Sequence, residues 1–90
     1  MQKHLNIKII GEVQGIFFRA RAKEKAETLD LYGLARNEPD GSVHLEVEGA
    51  ESSLSEFIKW CHIGPPSAKI EKVEISESPS QNFSNFKIIY

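Results

Sequence analysis

The chain has 90 residues and a mass of 10.1 kDa, with 40% apolar residues, one cysteine, a formal net charge of −2 and a pI near 5.9. That length holds one small domain, residues 1–90, and a lone cysteine excludes both an intrachain disulfide and a four-cysteine metal site. The weakly acidic balance argues against nucleic-acid binding by bulk electrostatics, and apolar runs no longer than three residues, such as Ile16-Phe17-Phe18, exclude a helical membrane span.

Leu5, Ile7 and Ile9 alternate with Asn6 and Lys8, the period of a half-buried strand ending near Val13. This opening carries no apolar run of the secretory type, so the expected setting is the cytoplasm. Gln14-Gly15-Ile16-Phe17-Phe18 then leads into a helix over Arg19 to Asp30. Phe18, Ala22, Ala26 and Leu29 fall on one of its faces, with Arg21, Lys23, Glu24 and Lys25 on the other. Leu31 to Arg36 reads as a second strand. Asn37-Glu38-Pro39-Asp40-Gly41 reads as a turn, because Asp-Gly supplies the backbone angles of a tight hairpin. Val43, Leu45 and Val47 alternate with His44, Glu46 and Glu48, predicting a third strand with one face in water. Leu54, Phe57, Ile58 and Cys61 mark a second helix, with Ser53 and Glu56 at the spacing of a capping box. Gly64-Pro65-Pro66 ends it. Ile70 to Ile75 is a fourth strand, Ser76 to Ser84 a polar loop, and Phe86, Ile88 and Tyr90 alternate as a last short strand.

The order is β-α-β-β-α-β with an added terminal strand. Right-handed crossovers put both helices on one face of a mostly antiparallel sheet, which is the α+β ferredoxin-like sandwich. That fold does not by itself choose a function.

The familiar catalytic constellations are absent. His4, His44 and His62 have no metal-type spacing with one another or with Cys61, and read as surface or strand-face residues. Cys61, on the apolar helix face, reads as a packed thiol. Glycines at 11 and 15 are followed by no Lys-Ser/Thr pair, so they form no nucleotide P-loop. Gln14 to Arg19 stands out because it joins a strand to a helix start. Unpaired N–H groups there, a glycine to curl the chain and an arginine alongside fit an oxyanion of phosphate size. An ordinary connection with a solvated arginine fits the same spacing. Asn37, taken alone, fits a turn.

Gly11-Glu12-Val13-Gln14-Gly15-Ile16-Phe17-Phe18-Arg19 resembles the acylphosphatase signature Gly-x-Val-Gln-Gly-Val-x-Phe-Arg. Gly33-Leu34-Ala35-Arg36-Asn37, running into Asp40-Gly41-Ser42-Val43, resembles a second motif of that family. Gly49, Leu54, Phe57, Gly64-Pro65-Pro66 and Phe86-Lys87-Ile88 extend the likeness over essentially the whole chain. The resemblance implies a small stand-alone hydrolase that cleaves the carboxyl–phosphate anhydride of acyl phosphates to carboxylate and inorganic phosphate. It carries the family's phosphate-binding arginine onto Arg19 and its water-positioning asparagine onto Asn37. The main-chain cradle falls on Gln14, Gly15, Ile16, Phe17, Phe18 and Arg19. It implies no metal and no organic cofactor, and a small-molecule acyl phosphate as partner, with no nucleic acid or membrane; a monomer is expected. Four positions depart from the pattern: Ile16 for the commoner valine, Asp30 where glycine often ends the first helix, Ala50 where an aspartate often opens the second, and Ala20 at the rim of the site. Capping of the second helix is then expected from Ser52 or Ser53.

This chemistry suits a chain without acids and bases at the site. A carboxylate leaves without needing a proton, so positioning and charge stabilisation suffice. Three other readings share the fold, one of them an acylphosphatase-like unit inside a larger carbamoyl-transfer maturation protein, against which 90 residues opening on Met1 lead us to expect a free-standing enzyme. A single-stranded RNA binder needs exposed aromatics on its central strands, where this chain places His44, Glu46 and Glu48. A non-catalytic regulatory module binding a small metabolite leaves Arg19 with Asn37 unexplained. The alternation up to Tyr90 also raises the expectation that the terminal carboxylate lies near Arg19 and orients it, beside the plainer reading of an ordinary edge strand.

Overall fold

The computed structural model describes residues 2–90. Strand β1 (Gln2–Glu12) leads to helix α1 (Phe18–Thr28), then to the hairpin of β2 (Tyr32–Asn37) and β3 (Val43–Ala50). Helix α2 (Glu51–Ile63), β4 (Lys69–Ser78) and β5 (Phe86–Ile89) complete the chain. The strands form one sheet in the order β4-β1-β3-β2-β5. All neighbours are antiparallel except β2 and β5, which run parallel with Ala35 opposite Ile88 and Arg36 opposite Ile89. This is the expected ferredoxin-like α+β sandwich.

Period-two alternation puts Leu5, Ile7, Ile9, Leu45, Val47 and Ala35 on one sheet face. Helical spacing puts Phe18, Ala22 and Ala26 of α1, with Leu54, Phe57 and Cys61 of α2, against that same core. Each large side chain so buried contributes about 1.5–3 kcal/mol relative to exposure. Cys61 belongs to this packing: burial pushes its thiol up to about 12, so it is inert near neutrality. At Gly33 the hairpin strands come so close that a Cβ would sit 1.7 Å from the Glu46 carbonyl oxygen, so only glycine fits.

The ends of α1 follow from its sequence. Asp30 has φ 57 and takes the left-handed place where glycine often stands, as expected of an aspartate. The N–H groups of Leu29 and Leu31 both return to the Ala26 carbonyl.

Four expectations need correction. Helix α2 starts at Glu51 directly from β3, with Ala50 at the N-cap and no capping side chain, so neither Ser52 nor Ser53 caps it. Glu51 stands in its first turn instead, where a carboxylate complements the helix dipole, 2.8 Å from Lys3 Nζ. Second, Asn37 is the last residue of β2, opposite Val43, and precedes the turn. Third, β4 runs on to Ser78 because β1 offers it partners as far as His4. Fourth, the far sheet face is not in water along its whole length: His4 and Glu48 are buried on it. Residues 79–85 form a strap over that end, and Glu48 accepts hydrogen bonds from Gln81 N (2.8 Å), Ser80 Oγ (3.1 Å) and Phe83 N. His4 lies under the strap, its ring stacked on Phe83 and hydrogen-bonded to Glu48 Oε2 (2.9 Å) and Glu46 Oε1 (3.0 Å).

Candidate active site

The loop between β1 and α1 is anchored at both ends and turned between them. Val13 before it and Phe18 after it are buried in the core, and Ile16 packs against that core. Gly15 (φ 74) and Phe17 (φ 62, ψ 25) both adopt the left-handed region. Left-handed residues interspersed with others bend a chain so that successive N–H groups gather on one concave side, next to the unpaired N–H groups of the helix start. Phe17 is the N-cap of α1 and makes no side-chain cap. A bulky residue in that backbone region costs on the order of 1–2 kcal/mol, and the ring is 82% exposed, so burial does not offset the cost.

Gln14 fastens this loop to the β2–β3 hairpin. Its side-chain amide donates to the carbonyl oxygens of Glu38 (2.8 Å) and Ser42 (2.9 Å). The hairpin is itself braced. Glu38 N donates to Ser42 O, and Asp40 Oδ1 accepts from both the hydroxyl and the N–H of Ser42 at 2.6 and 2.9 Å. The Ser42 hydroxyl, then Lys8 at 2.9 Å, hold the Asp40 carboxyl far below the usual carboxylate range. Asn37 stands at the foot of this braced turn.

Arg19, in the first turn of α1, reaches across to β5. Its Nη1 donates to the Ile89 carbonyl at 2.8 Å, and its guanidinium lies 4.8 Å from the centre of the Tyr90 ring. Arg19 and Asn37 line one cavity of about 340 Å³ with Arg36, Ile89 and Tyr90. Arg36 is drawn to Glu38, with Nε 2.7 Å from Oε1.

The structure thus brings Arg19 and Asn37 together from different elements. Of the six loop residues from Gln14 to Arg19, it turns the side chains of Ile16 and Phe18 inward, so these two offer only main-chain groups. Gln14 acts through a side-chain tie that its place in the motif did not reveal. Arg36, which strand alternation marks only as a strand residue one before Asn37, also lines the cavity. The expected contact of a terminal carboxylate with Arg19 is replaced by the Ile89 carbonyl and the Tyr90 ring. Among the described residues, no three His, Cys, Asp or Glu side chains gather to hold a metal ion.

Element order and sheet topology place the chain in the class of ferredoxin-like α+β sandwiches, here with an arginine and an asparagine facing one cavity beside a left-handed strand-to-helix loop. Residues 5–88 match the acylphosphatase family model, and the chain belongs to the acylphosphatase family. An acylphosphatase of Rubrobacter xylanophilus is 44% identical over 78 residues, spanning 87% of this chain and 71% of that protein. The crystal structure of acylphosphatase from Bacillus subtilis superposes with a TM-score of 0.94 at 32% identity and covers both chains completely. The HypF of T. kodakarensis contains a similar unit, with a TM-score of 0.81 at 34% identity over 96% of this chain and 11% of that one. Hydrolysis of acyl phosphates is the activity that comes with the family.

Proposed function

We propose that the N–H groups of the Gln14–Arg19 loop and the Arg19 guanidinium hold the phosphoryl group of an acyl phosphate, while Asn37 positions the attacking water. The observation that carries this assignment is the convergence of Arg19 and Asn37, 18 positions apart in sequence, on one cavity beside the left-handed loop. The water oxygen attacks phosphorus and the bond from phosphorus to the acyl oxygen breaks. That oxygen leaves with its electron pair as part of a carboxylate, and the proton of water passes to the released phosphate or to solvent. Oriented N–H groups and a guanidinium stabilise charge as it redistributes over the phosphoryl oxygens. The Asn37 amide accepts from water through Oδ1, and its Nδ2 donates to a phosphoryl oxygen only as the transition state forms. Loop, arginine and asparagine all come from one chain, and the working unit proposed is a cytoplasmic monomer of one domain.

Release of phosphate from benzoyl phosphate tests the activity, and Asn37→Ala tests the mechanism. An interaction made mainly in the transition state lowers kcat and kcat/KM together. A misplaced nucleophile costs on the order of 100-fold in rate. The expected Asn37→Ala protein therefore folds, is inhibited by phosphate like the parent, and turns over at least about a hundredfold more slowly. A large rise in KM with kcat intact would move Asn37 from positioning water to binding substrate.

Arg19 depends on β5 for its orientation. Deleting Ile89 and Tyr90 is expected to lower the melting temperature and to weaken inhibition by phosphate. An unchanged Tm together with unchanged inhibition would show that Arg19 holds its place without them.

A further inference from the structure

Folding accounts for neither feature of Phe17. Its backbone is left-handed, a region that glycine, asparagine and aspartate enter far more easily. At an N-cap, an asparagine or serine gains a hydrogen bond that phenylalanine forgoes. Its ring is 82% exposed and so gains little from the core. Gly15, two residues earlier, has the same handedness and meets it with no side chain at all.

The surroundings suggest what the ring meets. Tyr90 is 96% exposed and lies against the Arg19 guanidinium, and Ile89 beside it is 40% exposed. Apolar surface therefore stands in the loop two residues before Arg19 and again against the Arg19 guanidinium at the end of β5. A phosphoryl group is polar on every side and has no use for it. The acyl half of the substrate does, because it is joined to the phosphoryl group through a single oxygen and must lie at the mouth of the same loop.

We propose that Phe17 determines acyl-group specificity. Its ring packs against the acyl substituent and favours aromatic acyl phosphates over the acetyl compound. This rests on the reading of residues 14–19 as the phosphate loop. Ring-on-ring packing selects between two substrates that share one head group, so the effect belongs in the ratio of their kcat/KM values.

The test compares Phe17→Gly and Phe17→Asn with the parent, using benzoyl phosphate and acetyl phosphate as substrates and inorganic phosphate as inhibitor. The benzoyl-to-acetyl ratio of kcat/KM is expected to fall about three- to tenfold in both variants; a change in phosphate inhibition reports on the shared head group and acts on both substrates alike, so it does not move the ratio. The ratio does not depend on how much of a preparation is folded, so a destabilised variant still answers. Both variants suit a left-handed backbone, and their Tm is expected to equal or exceed the parent's. An unchanged ratio overturns the proposal while leaving the phosphate loop intact, provided Arg19→Ala weakens phosphate inhibition. Full phosphate inhibition in Arg19→Ala overturns the loop reading, and this proposal with it.

Discussion

Arg19→Ala is expected to abolish turnover and to weaken inhibition by inorganic phosphate. The guanidinium is a rigid fork of five donors with a permanent charge, and it takes phosphate oxygens two at a time. In this fold the fork is already oriented, because Nη1 is committed to the Ile89 carbonyl and the face lies on Tyr90. Little rotamer freedom remains to be lost on binding an anion, which suits the role proposed for Arg19 as a fixed part of the site. Arg19→Lys is expected to rescue little. An ammonium group keeps the charge but reproduces neither the paired hydrogen bonds nor the flat contact with the ring. Steady-state kinetics with phosphate as inhibitor decide the matter, with Tm measured alongside because Arg19 also holds β5. Near-normal phosphate inhibition in a folded Arg19→Ala protein would remove Arg19 from the phosphate site.

The largest effect on stability is expected at Glu48, which has no part in the proposed site. Its carboxylate is buried and receives the strap through Gln81 N, Ser80 Oγ and Phe83 N, with His4 beneath at 2.9 Å. Glu48→Ala leaves two strap N–H groups and a buried imidazole without this partner. Each buried donor left without its partner costs about 1–3 kcal/mol, so losing several together costs about 3–5 kcal/mol. For a domain of this size that lowers Tm by roughly 15 °C or more. The pH dependence has a definite sign. Burial pushes the Glu48 carboxyl upward, but the N–H of Gln81, the His4 ring, the N–H of Phe83 and the Ser80 hydroxyl together outweigh it, and the net shift is downward. The unfolded chain therefore binds this proton more readily than the folded one. The contribution is complete above the ordinary glutamate range and is lost as pH falls through the lower folded value. Thermal melts from neutrality to pH 3 are expected to show a steeper acid loss in the parent than in Glu48→Gln. Parallel curves would show that Glu48 does not hold the strap through its charge.

Glu48 also marks the boundary of what the sequence made legible. Alternation in β3 correctly separated Val43, Leu45 and Val47 from His44, Glu46 and Glu48. Periodicity says which residues share a face, however, and not what covers that face. The cover is Ser80 to Phe83, a polar stretch with no period, and its place depends on where β5 pairs. The capping box failed for a related reason: Ser53 and Glu56 have the right spacing, but β3 passes into α2 without a linker and the helix has begun two residues before Ser53. Arg19 and Asn37 stand out in the sequence as candidates because the motifs around them are local. Their shared cavity, the Gln14 tie and the contact of Ile89 with Arg19 are products of long-range pairing, which no local pattern contains.

The parallel pairing of β5 with β2 bears on the order in which the molecule becomes competent during synthesis. A ribosome delivers the loop and α1 early, the hairpin carrying Asn37 next, and β5 after every other element of the sheet. Until Ile89 has emerged, the nascent chain can lay down β4-β1-β3-β2, yet Arg19 has no carbonyl to hold it and the edge of β2 is open. An open edge of that kind is a site for wrong pairing with another chain. Closing the edge and orienting the arginine are thus a single event, carried out by one four-residue strand.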